Sequence, residues 1–205
     1  MKLLYIVSLV GTGVFAVSGA LTAMRKNFDL LGVMVIAEVT AMGGGTLRDL
    51  LLFHRPIFWI GDPAYVLVIV LAACLTILYV RYRRPPVKAL LYADAVGLAL
   101  FTLSGARIAE ADGVSGIVVV LMGAITGSAG GLIRDVLCAQ VPLLLRKGEL
   151  YTTTSIVGVV VYLFLQSHGV GRPGAALVGM AVVLGLRLAA IFWGITLPVF
   201  ALSED

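Results

Sequence analysis

Charge is scarce in this chain. Only 13% of its 205 residues are Asp, Glu, Lys or Arg, about half the share of an ordinary soluble domain. With 60% hydrophobic residues and a mean hydropathy of +1.08, that scarcity excludes a soluble globular domain. It leaves no room for an aqueous catalytic or nucleic-acid-binding domain. Cysteine is also nearly absent. Cys74 and Cys138 both fall in apolar stretches without CxxC spacing or a neighbouring histidine, so they read as buried small hydrophobes rather than a metal site or a disulfide. No GxSxG, HExxH or GxxxxGK[ST] occurs, and Gly11-x-Gly13 lacks a third correctly spaced glycine; the chain reads as a non-enzyme. The net charge of +4 does not indicate nucleic acid, because the basic residues lie scattered between apolar segments, where a membrane topology accounts for them.

What the chain does have is repetition. Positions 40–56 recur at 126–142, 86 residues on and without a gap: Thr40, Gly44, Gly45, Arg48, Asp49, Leu51 and Pro56 match Thr126, Gly130, Gly131, Arg134, Asp135, Leu137 and Pro142. Gly11, Phe15, Ser18, Gly19 and Ala20 likewise match Gly97, Phe101, Ser104, Gly105 and Ala106. Internal repetition decides architecture before any local reading does. It also settles the N-terminus. Lys2 followed by an apolar run to Val17-Ser-Gly-Ala resembles a secretory signal, but the same Ser-Gly-Ala recurs in mid-chain, so the first segment is expected to be a retained transmembrane helix.

A spanning helix needs about 20 apolar residues. Seven segments are expected: 3–24, 29–52, 63–81, 88–107, 114–138, 150–167 and 174–200. The fold class is therefore an all-α membrane protein in one membrane domain over 1–205, with one repeat over about 1–86, a second over about 87–172 and a seventh helix over about 173–200. The loops after segments one, three and five carry eight Lys and Arg residues and the opposite side carries four, which places the N-terminus outside and the C-terminus in the cytoplasm. Each repeat holds three helices. An odd number forces the second repeat to insert upside down, and inverted repeats place a binding or conduction site near the midplane between the halves.

Two glycine motifs fall at the middle of segments two and five: Thr40-Ala41-Met42-Gly43-Gly44-Gly45 and Thr126-Gly127-Ser128-Ala129-Gly130-Gly131. Each helix-interior glycine costs about 1 kcal/mol relative to alanine. A break at Gly43–Gly45 is expected, freeing carbonyls near residues 39–42 that, with the Thr40 and Thr126 hydroxyls, make suitable ligands for a monovalent cation. The competing reading is close helix packing, which small-xxx-small stripes such as Gly123, Gly127 and Gly131 serve well.

Arg48-Asp49 and Arg134-Asp135 follow the glycines. Intramembrane charges face a bundle interior or a wet cavity. Neighbouring helix residues point about 100° apart, so pairing crosswise, or with helix ends and other helices, is expected rather than pairing within each Arg-Asp dipeptide. Such groups serve either as a charged pathway or gate network or as a structural ion-pair network. Thr46 and Asp49 have the spacing of a capping box for a half-helix restarting after the glycines. Glu38 and Arg187 are further intramembrane charges, each needing a partner, and they are candidates to pair with each other. Trp59 and Trp193 read as interface anchors, and the basic stretch at 81–88 as a topology signal or an anionic-lipid contact.

The residues Gly43–Leu51, Phe58-Trp59, Asp62-Pro63-x-Tyr65, Thr126-Gly127 and Ile133–Leu137 resemble the prokaryotic branch of the trimeric intracellular cation (TRIC) channels, which overlaps the bacterial glycine-transporter domain family. The resemblance spans roughly residues 5–195. It implies seven helices, a homotrimer with a separate pore in each protomer, helices two and five kinked at their glycine motifs, and no cofactor beyond a permeant potassium ion, with sodium as an alternative. Ala129 departs from the family pattern, which expects glycine there. A secondary transporter of glycine or another small solute, and a membrane subunit without permeation, are the competing functions.

Overall fold

The computed structural model describes residues 2–198. The described residues form eight α-helices: α1 (Lys2–Arg25), α2 (Leu30–Leu51), α3 (Phe58–Gly61), α4 (Ala64–Tyr82), α5 (Ala89–Ala111), α6 (Gly116–Leu137), α7 (Thr152–Ser167) and α8 (Arg172–Trp193), with a 3-10 turn at Leu143–Leu145. It is an all-helical membrane protein. Six of these helices, all but α3 and α7, are long and apolar enough to cross a bilayer. With 16 residues, α7 measures about 24 Å, short of the roughly 30 Å hydrocarbon core. The four-residue α3 lies in what sequence reading takes for a loop. The last helix is shorter than expected. It ends at Trp193, because Gly194 turns left-handed (φ 64°) and returns its N–H to the Ala190 carbonyl. The expected stretch to 200 includes residues 199–200, which lie outside the described residues.

The repeat is visible in the backbone itself. Asn27 (φ 57°) and Gly113 (φ 72°) turn the chain after α1 and α5, and Phe53 (φ 57°) and Ala139 (φ 48°) turn it after α2 and α6. Both pairs lie 86 positions apart although the residue types differ. Asp29 opens α2 by accepting from the Gly32 amide at 2.7 Å, and Ser115 holds the corresponding place before α6 without making that bond.

Four helices form the centre. Phe15 of α1 stacks on Phe101 of α5 with ring centroids 5.3 Å apart, and each ring lies over the glycine four residues before the other, Gly97 and Gly11. Between α2 and α6, Gly44 lies against the Thr126 backbone and Gly130 against the Thr40 backbone. Contact partners advance in opposite directions along each pair, so both pairs cross antiparallel. Around this centre α4 packs on α1 and α2, while α7 and α8 pack on α5. Exposed leucines such as Leu67, Leu71, Leu75 and Leu78 of α4 provide a surface for lipid. Cys74 lies among them and is exposed, correcting the expectation that both cysteines are buried; Cys138 is buried.

Candidate functional site

The glycine motifs sit at the antiparallel crossing of α2 and α6. Both helices run unbroken through them, so the expected interruption at Gly43–Gly45 is absent. A backbone left unpaired in hydrocarbon costs several kcal/mol per group, more than glycine saves by leaving the helix. The glycines instead let two backbones touch. A Cβ on Gly44 would land on the Thr126 carbonyl oxygen, and one on Gly130 on the Thr40 carbonyl oxygen. Gly45 makes room for the Phe58 ring and Gly131 for the Tyr151 hydroxyl. Position 43 is looser: a Cβ there would meet Ile133 Cδ1 at 3.0 Å and the Gly130 Cα at 3.4 Å. Ala129 occupies the corresponding place in the second half, buried without a break in the helix, which explains the departure from the family pattern.

The threonine hydroxyls are engaged within their own helices. Thr40 donates to the Ile36 carbonyl at 2.5 Å, Thr126 to Met122 at 2.6 Å and Ser128 to Ala124 at 2.6 Å. Thr40, Ala41, Thr126, Ser128 and Ala129 are buried, whereas Gly127 packs on Thr102 and Leu98 of α5 rather than on the seam. Met42 and Gly43 line a cavity of ≈ 380 Å³ with Glu38, Thr46, Trp59 and Ile133. Trp59 is half-buried there and donates from its indole nitrogen to the Thr46 hydroxyl at 3.1 Å. Trp193, by contrast, is exposed. Thr46 lies inside the continuous α2, so its expected capping role for a restarting half-helix falls away.

Each arginine binds its own neighbouring aspartate. Arg48 donates to Asp49 Oδ1 from Nε at 2.8 Å and from Nη2 at 2.6 Å, and Arg134 Nε donates to Asp135 Oδ1 at 2.7 Å. The expectation of crosswise pairing rested on the directions of the Cβ atoms. The three-methylene arginine stem spans that 100° separation, and in a dry interior the nearest carboxylate wins. The expected bonds to other helices occur in addition at Arg134, whose Nη1 donates to Ser18 Oγ of α1 at 2.6 Å and to Asp94 Oδ1 of α5 at 2.7 Å. Arg134, Asp135 and Asp94 are fully buried.

The aspartates also hold the chain that follows each helix. Asp49 Oδ2 accepts from the Phe58 amide at 2.9 Å, and Asp135 Oδ2 from the Leu143 amide at 2.8 Å. Gln140 Nε2 donates to Asp135 Oδ1 at 2.8 Å. At the corresponding place His54 pairs mainly with Asp112 at 2.9 Å, its other ring nitrogen lying 3.8 Å from Asp49. Arg187 and Glu38 do not meet. Arg187 is buried in α8, donates to Glu149 at 2.8 Å and lies over the Tyr151 ring, 5.0 Å from its centroid. Glu38 is exposed beside its cavity.

Sequence reasoning missed Asp94, Ser18, Tyr151 and Glu149 as members of the second cluster. For Asp94 a signal existed, a carboxylate inside an apolar segment; its counterpart 86 residues earlier is Ser8, so the repeat hides it. Around Gly131 three buried polar atoms have no hydrogen-bond partner among the described residues: Asp94 Oδ2, Arg134 Nη2 and the Tyr151 hydroxyl.

The family model described as Glycine transporter matches this chain twice, over residues 5–81 and 91–167, with the second match displaced by the same 86 positions. The chain belongs to the glycine transporter family. Its relatives include the UPF0126 inner membrane protein YadS of Escherichia coli (strain K12), 44% identical with 99% of each chain covered. The UPF0126 membrane protein of Vibrio cholerae is also 44% identical, over 99% of this chain and 85% of its own. The resemblance to TRIC proteins holds in three dimensions. A TRIC trimeric intracellular cation channel orthologue from Rhodobacter sphaeroides superposes with a TM-score of 0.90 at 35% identity, covering 95% of this chain and 100% of its own. A structure described as showing the basis for conductance through TRIC cation channels matches with a TM-score of 0.86 at 37% identity over 98% of both chains. This chain is an integral membrane protein.

Proposed function

We propose that this protein is a passive channel for monovalent cations, permeable to potassium, and not an enzyme. The reading is carried by the match of nearly the whole chain, at 35% and 37% identity, to structures described as TRIC cation channels. The proposed path runs in each protomer along the α2–α6 seam, between the two Arg-Asp sites. The groups that support it are the Thr40 and Thr126 carbonyls at the glycine crossing and a buried charge set of two arginines and three aspartates, Arg48, Arg134, Asp49, Asp94 and Asp135. The seam is closed at Gly44 and Gly130 in this structure, so conduction requires α2 and α6 to separate there.

The architecture proposed with it is a homotrimer in the prokaryotic inner membrane. Each protomer holds two inverted repeats, with α7 as a short sixth span and α8 as the seventh, the N-terminus outside and the C-terminus in the cytoplasm. Antiparallel crossings of α1 with α5 and α2 with α6 support the inversion. Planar bilayers containing the purified protein under a KCl gradient test the function: unitary currents with a cation-selective reversal potential support it. The family's description as a glycine transporter favours one second reading, carrier-mediated movement of glycine or another small solute. Saturable uptake of labelled glycine into proteoliposomes without unitary currents would establish that reading in its place.

A further inference from the structure

One face of α2 misses the core and carries a charge. The buried positions of this helix recur at helical spacing through Val33, Ile36, Ala37, Thr40, Ala41 and Gly44. Glu38 lies off that stripe, on the side it shares with the exposed Leu31 and Val35. It stands near the middle of a spanning helix, where a carboxylate without a partner is costly. No Lys, Arg or His among the described residues lies within ion-pair distance of it. The repeat does not call for it either, since its counterpart in α6 is the buried Ala124.

Glu38 opens onto the cavity of ≈ 380 Å³ beside the glycine crossing. Val39, Met42 and Leu47 of α2, Ile133 of α6 and Trp59 of α3 make its wall apolar and in part aromatic. Glu38 is the one ionisable side chain among the described residues that line it. The Thr46 hydroxyl already accepts from the Trp59 indole at 3.1 Å. A bare potassium ion gives up its hydration shell only to several oxygen ligands at once, more than one carboxylate and one hydroxyl supply. A zwitterion such as glycine would set its own carboxylate against an apolar wall, because no cation among the described residues lines the cavity to receive it.

We propose that this cavity binds a small organic ammonium ion with an apolar substituent. The ammonium pairs with the Glu38 carboxylate, and the apolar part fills the space against Met42, Leu47 and Ile133, with Trp59 offering an aromatic surface to the charge. The volume is that of a small-molecule site. Because α2 and α6 both line the cavity, an occupant touches the two sides of the seam at its loosest position, Gly43.

The test uses the full chain carrying Trp193→Phe, purified in a neutral detergent, so that Trp59 is its single tryptophan. Its fluorescence is titrated with 2-phenylethylammonium chloride, with 2-phenylethanol as the uncharged probe of the same shape, and with glycine. Calorimetry against protein-free micelles subtracts partition into detergent. The expected result is a saturable change for the ammonium at one site per protomer, binding of the alcohol weaker by about tenfold or more, and none of glycine. Glu38→Gln, at an exposed position, should bring ammonium and alcohol to within about twofold of each other. Val39→Phe keeps the carboxylate and fills the cavity, and should abolish saturation by both. Equal affinity for ammonium and alcohol, a preference that survives Glu38→Gln, binding that survives Val39→Phe, or saturation by glycine would overturn the proposal. So would the absence of any saturable change, the result given by a neighbouring protomer seated over the cavity. No readout depends on whether the protein conducts.

Discussion

The two Arg-Asp sites derive from one repeated motif and have diverged in how they hold their charges. Arg134 is fully buried, with two carboxylates and a serine hydroxyl around it. Arg48 keeps one carboxylate and sets its guanidinium over the Phe58 ring, 5.6 Å from the centroid. The symmetry-related counterparts of Asp94 and Ser18, at the first Arg-Asp site, are Ser8 of α1 and Ser104 of α5. They bond to each other at 3.0 Å and leave Arg48 alone. One site is thus an interhelical knot tying α1, α5 and α6; the other is a local clasp between α2 and the segment that follows it. A repeated backbone does not oblige both halves to carry the same electrostatic role.

The largest effect is expected at the knot. Asp94→Ala removes one of the two carboxylates from a buried arginine and should destabilise the protein by about 3 kcal/mol or more, since breaking a buried pair leaves its partner uncompensated. Denaturation in micelles, followed by circular dichroism, measures this. Ser8→Ala at the corresponding place in the first half should cost less than about 1 kcal/mol, the scale of one neutral hydrogen bond. Equal losses would mean that the two sites differ in form but not in energy.

Next comes the glycine crossing. Gly44→Ala and Gly130→Ala each push a methyl group into a backbone carbonyl that cannot swing away. About 1–3 kcal/mol of overpacking is expected for each, and Gly44→Leu or Gly130→Leu should reduce cation flux strongly, because the larger side chain fills the space that a parting of α2 and α6 would open. Because the contacts are reciprocal, the two alanine variants should behave alike, in contrast to the two charged sites. Unchanged flux in both leucine variants would remove the crossing from the pathway.

The clasp is expected to matter more for selectivity than for stability. Asp49→Asn keeps an acceptor for the Phe58 amide and removes one negative charge. The reversal potential in a KCl gradient should therefore move toward the non-selective value, with unfolding made easier by about 1–3 kcal/mol, less than at Asp94→Ala because the amide oxygen still accepts from Arg48 and the guanidinium stays over Phe58. An unaltered reversal potential would make Asp49 purely a structural anchor.

Legibility in the sequence follows the same division. Hydropathy and the 86-residue offset carry information along the chain, so the positions of the long helices can be read to within a few residues, except at the end of α8, which stops at Trp193 and not at 200. What fails is information between chains of packed atoms. Three consecutive glycines suggest a broken helix when only helix propensity is counted; in a bilayer the unpaired carbonyls cost more, and the neighbouring helix uses the vacated space. Cβ directions send the Arg-Asp dipeptides to partners elsewhere and ignore the reach of arginine; such partners exist for Arg134, on α1 and α5, beside the bond within its own dipeptide. Asp94 was concealed by Ser8, since comparing repeats draws attention to what is shared, whereas the distinctive feature of the second half is a residue the first half lacks. Arg187 needed a partner, and it found Glu149 in a loop rather than Glu38 in a helix.

The smallest effect is expected at position 43, where the two halves already differ. Gly43→Ala gives the first half the residue that the second half carries as Ala129. A methyl group there meets the end of the flexible Ile133 side chain at 3.0 Å, and only next the Gly130 Cα at 3.4 Å. Replacing a helical glycine by alanine gains about 0.5–1 kcal/mol, and the displacement of Ile133 takes back part of it. The net change should lie within about 0.5 kcal/mol of zero by the same micelle denaturation, with flux preserved. A loss as large as that of Gly44→Ala would show that all three glycines of the first motif are equally constrained. The tolerance for Ala129 would then have to come from the surroundings of α6 rather than from the geometry the two motifs share.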